Sequence, residues 1–100
     1  MKDKLPPEAV REHLDRMNGW REVPGRDAIR KTYQFKDFSE AFGFMTRIAL
    51  AAERTNHHPE WSNIYNRVEI VLSTHDAQGV TEKDFALALA ADQAAQGAGH

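Results

Sequence analysis

The sequence predicts an α+β domain of two layers, in which a four-stranded antiparallel sheet carries three helices on one face. Apolar residues recur at helical spacing in three segments, and four shorter segments are predicted strands, two of which alternate apolar and polar residues, in the order αββαββα. The strand segments come in consecutive pairs separated by turn residues, as antiparallel hairpins do. Amphipathic helices bury their apolar sides against one face of such a sheet. At 100 residues the chain is predicted to be a single domain, 1–100, ordered from about residue 5 to residue 93.

The first helix and the first hairpin occupy the N-terminal third of the chain. Pro6–Glu8 suits a first helical turn, where proline needs no amide hydrogen and a glutamate opposes the positive end of the helix dipole. Asn18-Gly19 ends this helix. Trp20–Val23 and Ile29–Phe35 are then predicted to be two strands around the turn residues 24–27, and the second of them alternates.

The central helix is predicted from Asp37 to about Arg54. Asp37 is followed three residues later by Glu40, which is the spacing of a capping box. The helix then carries one apolar stripe, which we expect to face the sheet. Its members are Phe38, Phe42, Met45, Ile48, Ala49 and Ala52.

A second hairpin and a third helix complete the fold. Trp61–Tyr65 and Val68–Thr74 are predicted strands that turn at Asn66-Arg67, with Val68, Ile70 and Leu72 on one face. Thr81–Asp84 opens the third helix. After about Gln93 the tail offers little to bury, and we expect it to fray.

Composition excludes several classes of function. The net charge of -2 and the pI near 6.2 leave no basic stripe for nucleic acid. The chain has no cysteine, which excludes disulfides and thiolate chemistry. Residues 1–7 hold no apolar run typical of a signal peptide, and no segment approaches the roughly 18 apolar residues of a membrane span. We therefore expect a cytoplasmic protein that contacts neither membranes nor nucleic acid.

Three of the five histidines, His57, His58 and His75, fall within nineteen positions. Pro59 disfavours helix at the preceding residue, which places His57 and His58 in the loop that leaves the central helix. His75 stands at the end of the last strand. A hairpin turning at Asn66-Arg67 brings residues near His58 opposite residues near His75, so the three rings are predicted to converge at one end of the sheet.

Clustered imidazoles suit proton transfer, because the unperturbed pKa of histidine is about 6.5. Imidazole is also a common metal ligand, but adjacent histidines in an extended segment point to different sides, which makes joint ligation of one metal awkward. The third reading is that these are solvated loop residues. Glu53 is a candidate for orienting an imidazole, unless it is only solvated. Trp61 is a candidate wall of the site, unless it belongs to the core.

Several motifs closely resemble the pterin-4a-carbinolamine dehydratase family, from about Leu5 to Ala91. His-His-Pro-Glu-Trp followed at this distance by Ser-Thr-His is specific, whereas the phenylalanine-rich helix alone is weak evidence. The matching segments are Lys36–Phe38, Ala41–Thr46, Asn56–Trp61, Tyr65-Asn66 and Leu72–His75.

The resemblance implies dehydration of 4a-hydroxytetrahydropterin to quinonoid dihydropterin, which recycles tetrahydropterin for aromatic amino acid hydroxylases, with no metal or organic cofactor. It implies that His57 and His75 are the acid/base residues and that His58 binds and places the pterin. The positions that match the substrate pocket of the family are His57, His58, Pro59, Thr74, His75 and Asp76. Asn56 replaces an acidic residue common in animal members, which leaves Glu53 as the nearer carboxylate.

The resemblance also has consequences for partners. The family includes members that act as dimerisation partners of a homeodomain transcription factor, so a protein-binding role is the alternative to catalysis. We expect a homodimer or a homotetramer, because a free sheet face and exposed helices favour self-association. Pairing with an aromatic amino acid hydroxylase is the functional partnership that the resemblance implies.

Overall fold

The computed structural model describes residues 3–98, which form three helices and four strands. In chain order these are α1 (Pro7–Asp15), β1 (Arg21–Glu22), β2 (Ile29–Gln34), α2 (Phe38–Thr55), β3 (Glu60–Ile64), β4 (Arg67–Leu72) and α3 (Glu82–Ala98), with a short 3₁₀ turn at His75–Ala77. The predicted order αββαββα is confirmed. No helix within residues 3–98 combines the length and the apolar character that crossing a membrane requires.

The four strands form one antiparallel sheet in the order β1-β2-β4-β3. The two hairpins therefore meet through β2 and β4, where Ile29 pairs with Leu72 and Tyr33 pairs with Val68. β1 and β3 are the edges of the sheet. This is the open α+β sheet that the sequence predicts.

One face of the sheet carries the core. Ile29 and Tyr33 of β2 are buried, whereas their neighbours Arg30 and Gln34 are exposed. Helical residues of all three helices join the same apolar cluster, so the helices cover this face only. The cluster contains Val10, Trp20, Ile29, Tyr33, Ala41, Phe44, Ile48, Val68, Ile70, Leu72, Val80, Phe85, Leu87, Ala88 and Ala91.

Helix α2 begins as predicted but turns a different stripe to the sheet. Asp37 caps it, because its Oδ1 accepts from the backbone N–H of Glu40 at 2.9 Å. Phe38, Phe42 and Ala49 of the predicted stripe are exposed, and that part of the prediction is wrong. The buried residues are Ala41, Phe44, Ile48 and Ala52. The helix has two apolar ridges side by side, and periodicity alone does not decide which one faces the sheet.

The second hairpin turns one residue earlier than predicted. Ile64 pairs with Arg67, so the turn is Tyr65-Asn66, and the pairing register moves by two residues from the predicted one. Tyr65 takes the left-handed conformation with φ 50°. Asn66 is held by Phe35, whose carbonyl accepts from the Asn66 side chain at 2.8 Å and whose N–H donates to the Asn66 carbonyl at 2.8 Å. This contact with Phe35, the residue after β2, fixes the turn, and it is not visible in the local sequence.

Helix α3 continues past Gln93 to Ala98, where we expected fraying. Ala94 and Ala95 are partly buried against the core, so this segment does have a surface to cover. Alanine and glutamine also favour helix. The remaining residues of the predicted frayed tail, 99–100, lie outside the described residues.

Candidate active site

The C-terminal end of α2 points His57 into the protein. Asn56 adopts the left-handed conformation, with φ 53°, and the His57 N–H donates to the Ala52 carbonyl at 3.0 Å. Asparagine tolerates this helix-ending conformation better than most residues. The chain therefore leaves the helix with the His57 side chain 8% exposed. Its Nε2 lies 2.6 Å from Oδ1 of Asp84, in the first turn of α3.

Asp84 is fully buried and accepts three hydrogen bonds. Its Oδ2 accepts from the Thr74 hydroxyl at 2.8 Å and from the Thr81 N–H at 2.9 Å, while Oδ1 faces His57. Because Thr74 has only one hydroxyl proton, the 2.6 Å contact between the two threonine hydroxyls requires Thr81 to donate to Thr74. The Lys83 N–H in turn donates to the Thr81 hydroxyl at 3.2 Å. These contacts define the donor and the acceptor of each hydrogen bond around the carboxylate.

The network fixes the state of the His57 ring. A carboxylate that accepts the Nε2 proton selects one tautomer and one orientation of the ring. Nδ1 is then the ring atom that remains for proton exchange. The pair has the form of a histidine held by an aspartate in an acid/base site.

The sequence does not predict the role of Asp84. Thr81–Asp84 was interpreted only as the opening of the third helix, and Thr81 and Asp84 do make a local capping contact through the Thr81 N–H. The available signal was the position of Asp84 on the buried stripe of α3, four residues before Ala88 and seven before Ala91. A carboxylate on the apolar side of a helix needs a buried partner.

His58 points elsewhere and is exposed. Its Nε2 lies 3.2 Å from Oε1 of Glu53, which is itself a solvated side chain in the last turn of α2. Glu53 thus contacts His58, whereas the buried partner of His57 is Asp84. Pro59 follows, half-buried, and leads directly into β3.

A cavity of about 280 Å³ lies at the end of the sheet beyond β4. This volume is near the lower end of the roughly 300–1,000 Å³ of small-molecule sites. Thr74 borders the cavity and also binds Asp84, so the cavity and the His57–Asp84 pair meet at this residue. The lining residues are Arg26, Asp27, Glu60, Ser73, Thr74, His75 and Gln78.

The loop that carries His75 is tied to the β1–β2 loop through Asp27. Oδ1 of Asp27 accepts from the Val80 N–H at 3.1 Å, and its carbonyl accepts from the Ser73 hydroxyl at 2.9 Å. The backbone of Gly79 approaches Asp27 closely, since a Cβ there would lie 2.7 Å from Asp27 Oδ2 and would displace that side chain. His75 is therefore held on a short, anchored loop.

Arg26 and Glu60 form an ion pair at the cavity. Nη1 of Arg26 donates to Oε1 of Glu60 at 2.8 Å, and Nη2 donates to Oε2 at 2.5 Å. These hydrogen bonds lower the pKa of the Glu60 carboxyl and raise the pKa of the Arg26 guanidinium. The sequence predicts no role for either residue, although Glu60 belongs to the His-His-Pro-Glu-Trp motif.

The three histidines lie at the same end of the sheet but have different surroundings. His75 borders the cavity, while His57 borders a separate groove of about 270 Å³ between α2 and α3, so the structure does not show the expected convergence of three rings in one cavity. Asp76 is exposed on the 3₁₀ turn. Trp61 packs partly buried against the core. Within residues 3–98 no three His, Asp or Glu side chains are grouped so that they could hold a metal ion.

A three-helix, four-stranded α+β domain with a buried histidine-aspartate pair and a second histidine at an adjoining cavity has the features of a small acid/base enzyme. Comparison with known proteins gives the family. The profile described as pterin 4 alpha carbinolamine dehydratase matches residues 3–94, and the chain belongs to this family.

Relatives align over most of their length. A Burkholderia multivorans protein, provisionally named a pterin-4-alpha-carbinolamine dehydratase, is 56% identical over 95 residues, which cover 95% of this chain and 93% of the relative. A Rhizobium meliloti protein with the same provisional name is also 56% identical over 95 residues, covering 95% of this chain and 91% of the relative.

Two solved structures share the fold. A protein described as a transcriptional coactivator/pterin dehydratase from Brucella melitensis superposes with a TM-score of 0.92 at 47% identity, covering 93% of this chain and 99% of its own. A pterin dehydratase-like protein identified as a RuBisCO assembly factor in the alpha-carboxysome has a TM-score of 0.68 at 24% identity, covering 78% of this chain and 90% of its own. At that identity the second likeness shows the fold alone.

Proposed function

We propose that this protein dehydrates a 4a-hydroxytetrahydropterin to the quinonoid dihydropterin. Family membership supports the reaction class. The observation that carries the proposal is the buried pair of His57 and Asp84, joined through Thr74 to the cavity where His75 stands. His75 lies at the cavity, and the His57–Asp84 pair reaches it through the wall residue Thr74.

The reaction needs an acid and a base. The C4a–O bond breaks as the hydroxyl leaves with a proton as water, and the N5 proton is removed as the C4a=N5 double bond forms. A positioned acid or base contributes roughly 10²–10⁴-fold to such a step. We assign these roles to His57 and His75, with His58 holding the pterin and Glu53 orienting His58. Pro59, Thr74 and Asp76 complete the proposed substrate-binding set, and Trp61 supports it from the core.

The test is a dehydration assay on freshly generated 4a-hydroxytetrahydropterin, coupled to a hydroxylase. We expect His75→Ala to lower kcat by roughly 10²-fold or more, because it removes one of the two proton-transfer groups. His13→Gln is the control, since His13 stacks on Phe85 at 4.3 Å, in the contact between α1 and α3, and stands apart from the cavity lining. Full activity in His75→Ala would remove this histidine from the proposed site.

A second candidate is a protein-binding role as a dimerisation cofactor or scaffold. The supporting observation is the apolar ridge on α2, where the exposed rings of Phe38 and Phe42 lie 5.7 Å apart and Leu50 is also exposed. One similar structure is described as a coactivator as well as a dehydratase. Titration with a tetrahydropterin analogue separates the two roles, because a pure scaffold has no reason to bind the pterin at micromolar concentration.

We propose a homodimer or homotetramer that works in the cytoplasm and returns its product to aromatic amino acid hydroxylases. β3 is an edge strand, and Ile64 near its end is exposed, so both this edge and the α2 ridge are surfaces for self-association. The net charge of -2 gives no support to direct nucleic-acid binding.

A further inference from the structure

The cavity beside His75 holds a carboxylate that the proposed mechanism does not use. Glu60, the first residue of β3, borders it together with Arg26 of the β1–β2 loop. Two parallel hydrogen bonds join the side chains, at 2.8 Å and 2.5 Å. In a pair of this form, two adjacent N–H groups donate to the two oxygens of one carboxylate. Glu60 is thus a two-point acceptor at the cavity wall.

A pterin carries the same donor pattern as arginine. Its 2-amino group and its N3–H lie side by side on one edge of the pyrimidine ring, where C2 and its three nitrogens repeat the guanidine unit. A carboxylate accepts from both donors in the geometry that it uses for a guanidinium. Arg26 therefore makes the same two hydrogen bonds to Glu60 that the 2-amino and N3–H donors of a pterin would make.

We propose that Glu60 binds the 2-amino and N3–H edge of the pterin, and that Arg26 turns away from Glu60 as the pterin enters. This inference rests on the function proposed above. The exchange costs little, because the two side chains are 46% and 58% exposed and a surface ion pair is worth only about 0–1 kcal/mol.

Two further features support the assignment. The backbone of Glu60 is fixed, since it pairs with Val71 in the ladder between β3 and β4. The lowered pKa of the Glu60 carboxyl keeps it ionised at neutral pH, which is the form that accepts from two donors. C4a lies directly across the pyrimidine ring from C2, so a pterin held at C2 by Glu60 extends its reacting carbon across the cavity that His75 also borders.

The test compares two ligands that differ at C2 alone. We measure by calorimetry the Kd of a stable tetrahydropterin analogue and of the matching 2-oxo analogue, for wild type, Glu60→Gln and Arg26→Gln. Glu69→Gln is the matched control, because Glu69 lies on β4 on the same open face of the sheet and borders a different depression. Steady-state dehydration kinetics of the same four proteins give KM and kcat.

We expect Glu60→Gln to weaken the 2-amino ligand at least about tenfold, the loss typical of a hydrogen bond to a charged group. The Kd of the 2-oxo ligand should change less than about twofold. In the dehydration assay KM should rise while kcat stays the same, because the lost contact stabilises the bound substrate and the transition state equally. Arg26→Gln should bind the pterin as well as wild type or better, since it removes the competitor. Glu69→Gln should match wild type for both ligands.

Other outcomes overturn the inference in separate ways. If wild type dehydrates the pterin but Glu60→Gln keeps its preference for the 2-amino ligand, other groups, such as the backbone of Thr74–Asp76, read that edge. Weaker pterin binding by Arg26→Gln would mean that Arg26 holds the ligand and does not compete with it. A wild-type protein that neither binds nor dehydrates the pterin overturns the proposed function and this inference together.

Discussion

Asp84 determines, through three accepted hydrogen bonds, which proton the His57 ring carries. An amide in its place offers one acceptor and one N–H₂ donor, so it cannot satisfy Thr74, the Thr81 N–H and His57 as the carboxylate does. The role of Asp84 is that of a positioning residue, because the contacts of its carboxylate are to His57, Thr74 and Thr81.

We therefore expect Asp84→Asn to lower kcat of the dehydration by roughly 10²–10⁴-fold, since an amide N–H facing Nε2 forces the other tautomer on the ring. The unfolding free energy should also fall by about 1–3 kcal/mol, the cost of a buried polar group left unsatisfied. Nitrogen NMR shifts of the His57 ring report the tautomer directly. An unchanged ring spectrum together with an unchanged kcat would contradict the assignment.

The candidate site was only partly predictable at the level of residues. His57, His58 and His75 stand out because histidines are few and these are close in sequence, and Pro59 places two of them outside a helix. Asp84 and Arg26 do not stand out, because each looks like an ordinary charge of a turn or a loop. Glu60 appears only as a member of the His-His-Pro-Glu-Trp motif, with no role of its own. Their significance comes from contacts across 27 and 34 positions of the chain, which no local pattern encodes.

At the scale of elements, hydrophobic periodicity predicts which segments are helices or strands, and in which order they follow. It predicts less well which face of each element is buried. Apolar alternation places β2 and β4, turn residues place their hairpin partners β1 and β3, and the Asp37 cap fixes the start of α2. The choice between the ridge with Phe42 and the ridge with Phe44 depends on how α2 packs on the sheet, and the turn at Tyr65-Asn66 depends on the contact with Phe35. Both are tertiary contacts that outweigh local preference.

Helix α3 is attached to the sheet by a polar cluster around Asp92. Its carboxylate accepts from the Trp20 indole at 3.2 Å, from the Lys31 ammonium at 2.8 Å and from the Tyr33 hydroxyl. Burial, and then the hydrogen bond to Asp92, raise the pKa of Tyr33 far above its usual value. The neutral hydroxyl is therefore the form that the folded state selects.

This raised pKa of Tyr33 predicts a loss of stability in alkali. The contribution of the protonated Tyr33 to the unfolding free energy is fully present below the pKa of tyrosine in the unfolded chain, about 10. Above that pH it declines, because the unfolded chain releases the proton while the folded chain keeps it. The unfolding free energy of wild type should fall by up to about 1.4 kcal/mol per pH unit more steeply than that of Tyr33→Phe. Urea unfolding at pH 8 and at pH 10.8 measures both slopes. Equal slopes for the two proteins would show that Tyr33 ionises alike in both states.

At the scale of the whole molecule, two apolar surfaces formed by residues 3–98 are candidates for association, because the chain itself does not cover them. One is the α2 ridge with Phe38 and Phe42, which are 48% and 55% exposed, and the other is the β3 edge near Ile64, which is 64% exposed. Grouped exposed aromatic rings on a small domain are typical of interaction sites. The helical ridge arises because α2 is apolar on more of its circumference than the sheet can cover.

If the α2 ridge is where copies of this chain associate, a charge placed there should lower the assembled mass. We expect wild type to run as a dimer or a tetramer in light scattering, and Phe42→Glu to run at a smaller mass with its circular dichroism spectrum unchanged, because an exposed side chain carries little of the core. Ile64→Lys tests the β3 edge by the same measurement, since a lysine on an edge strand opposes pairing with a second edge. A loss of mass in Ile64→Lys alone would place the interface at the sheet edge, and a monomeric wild type would contradict self-association through either surface.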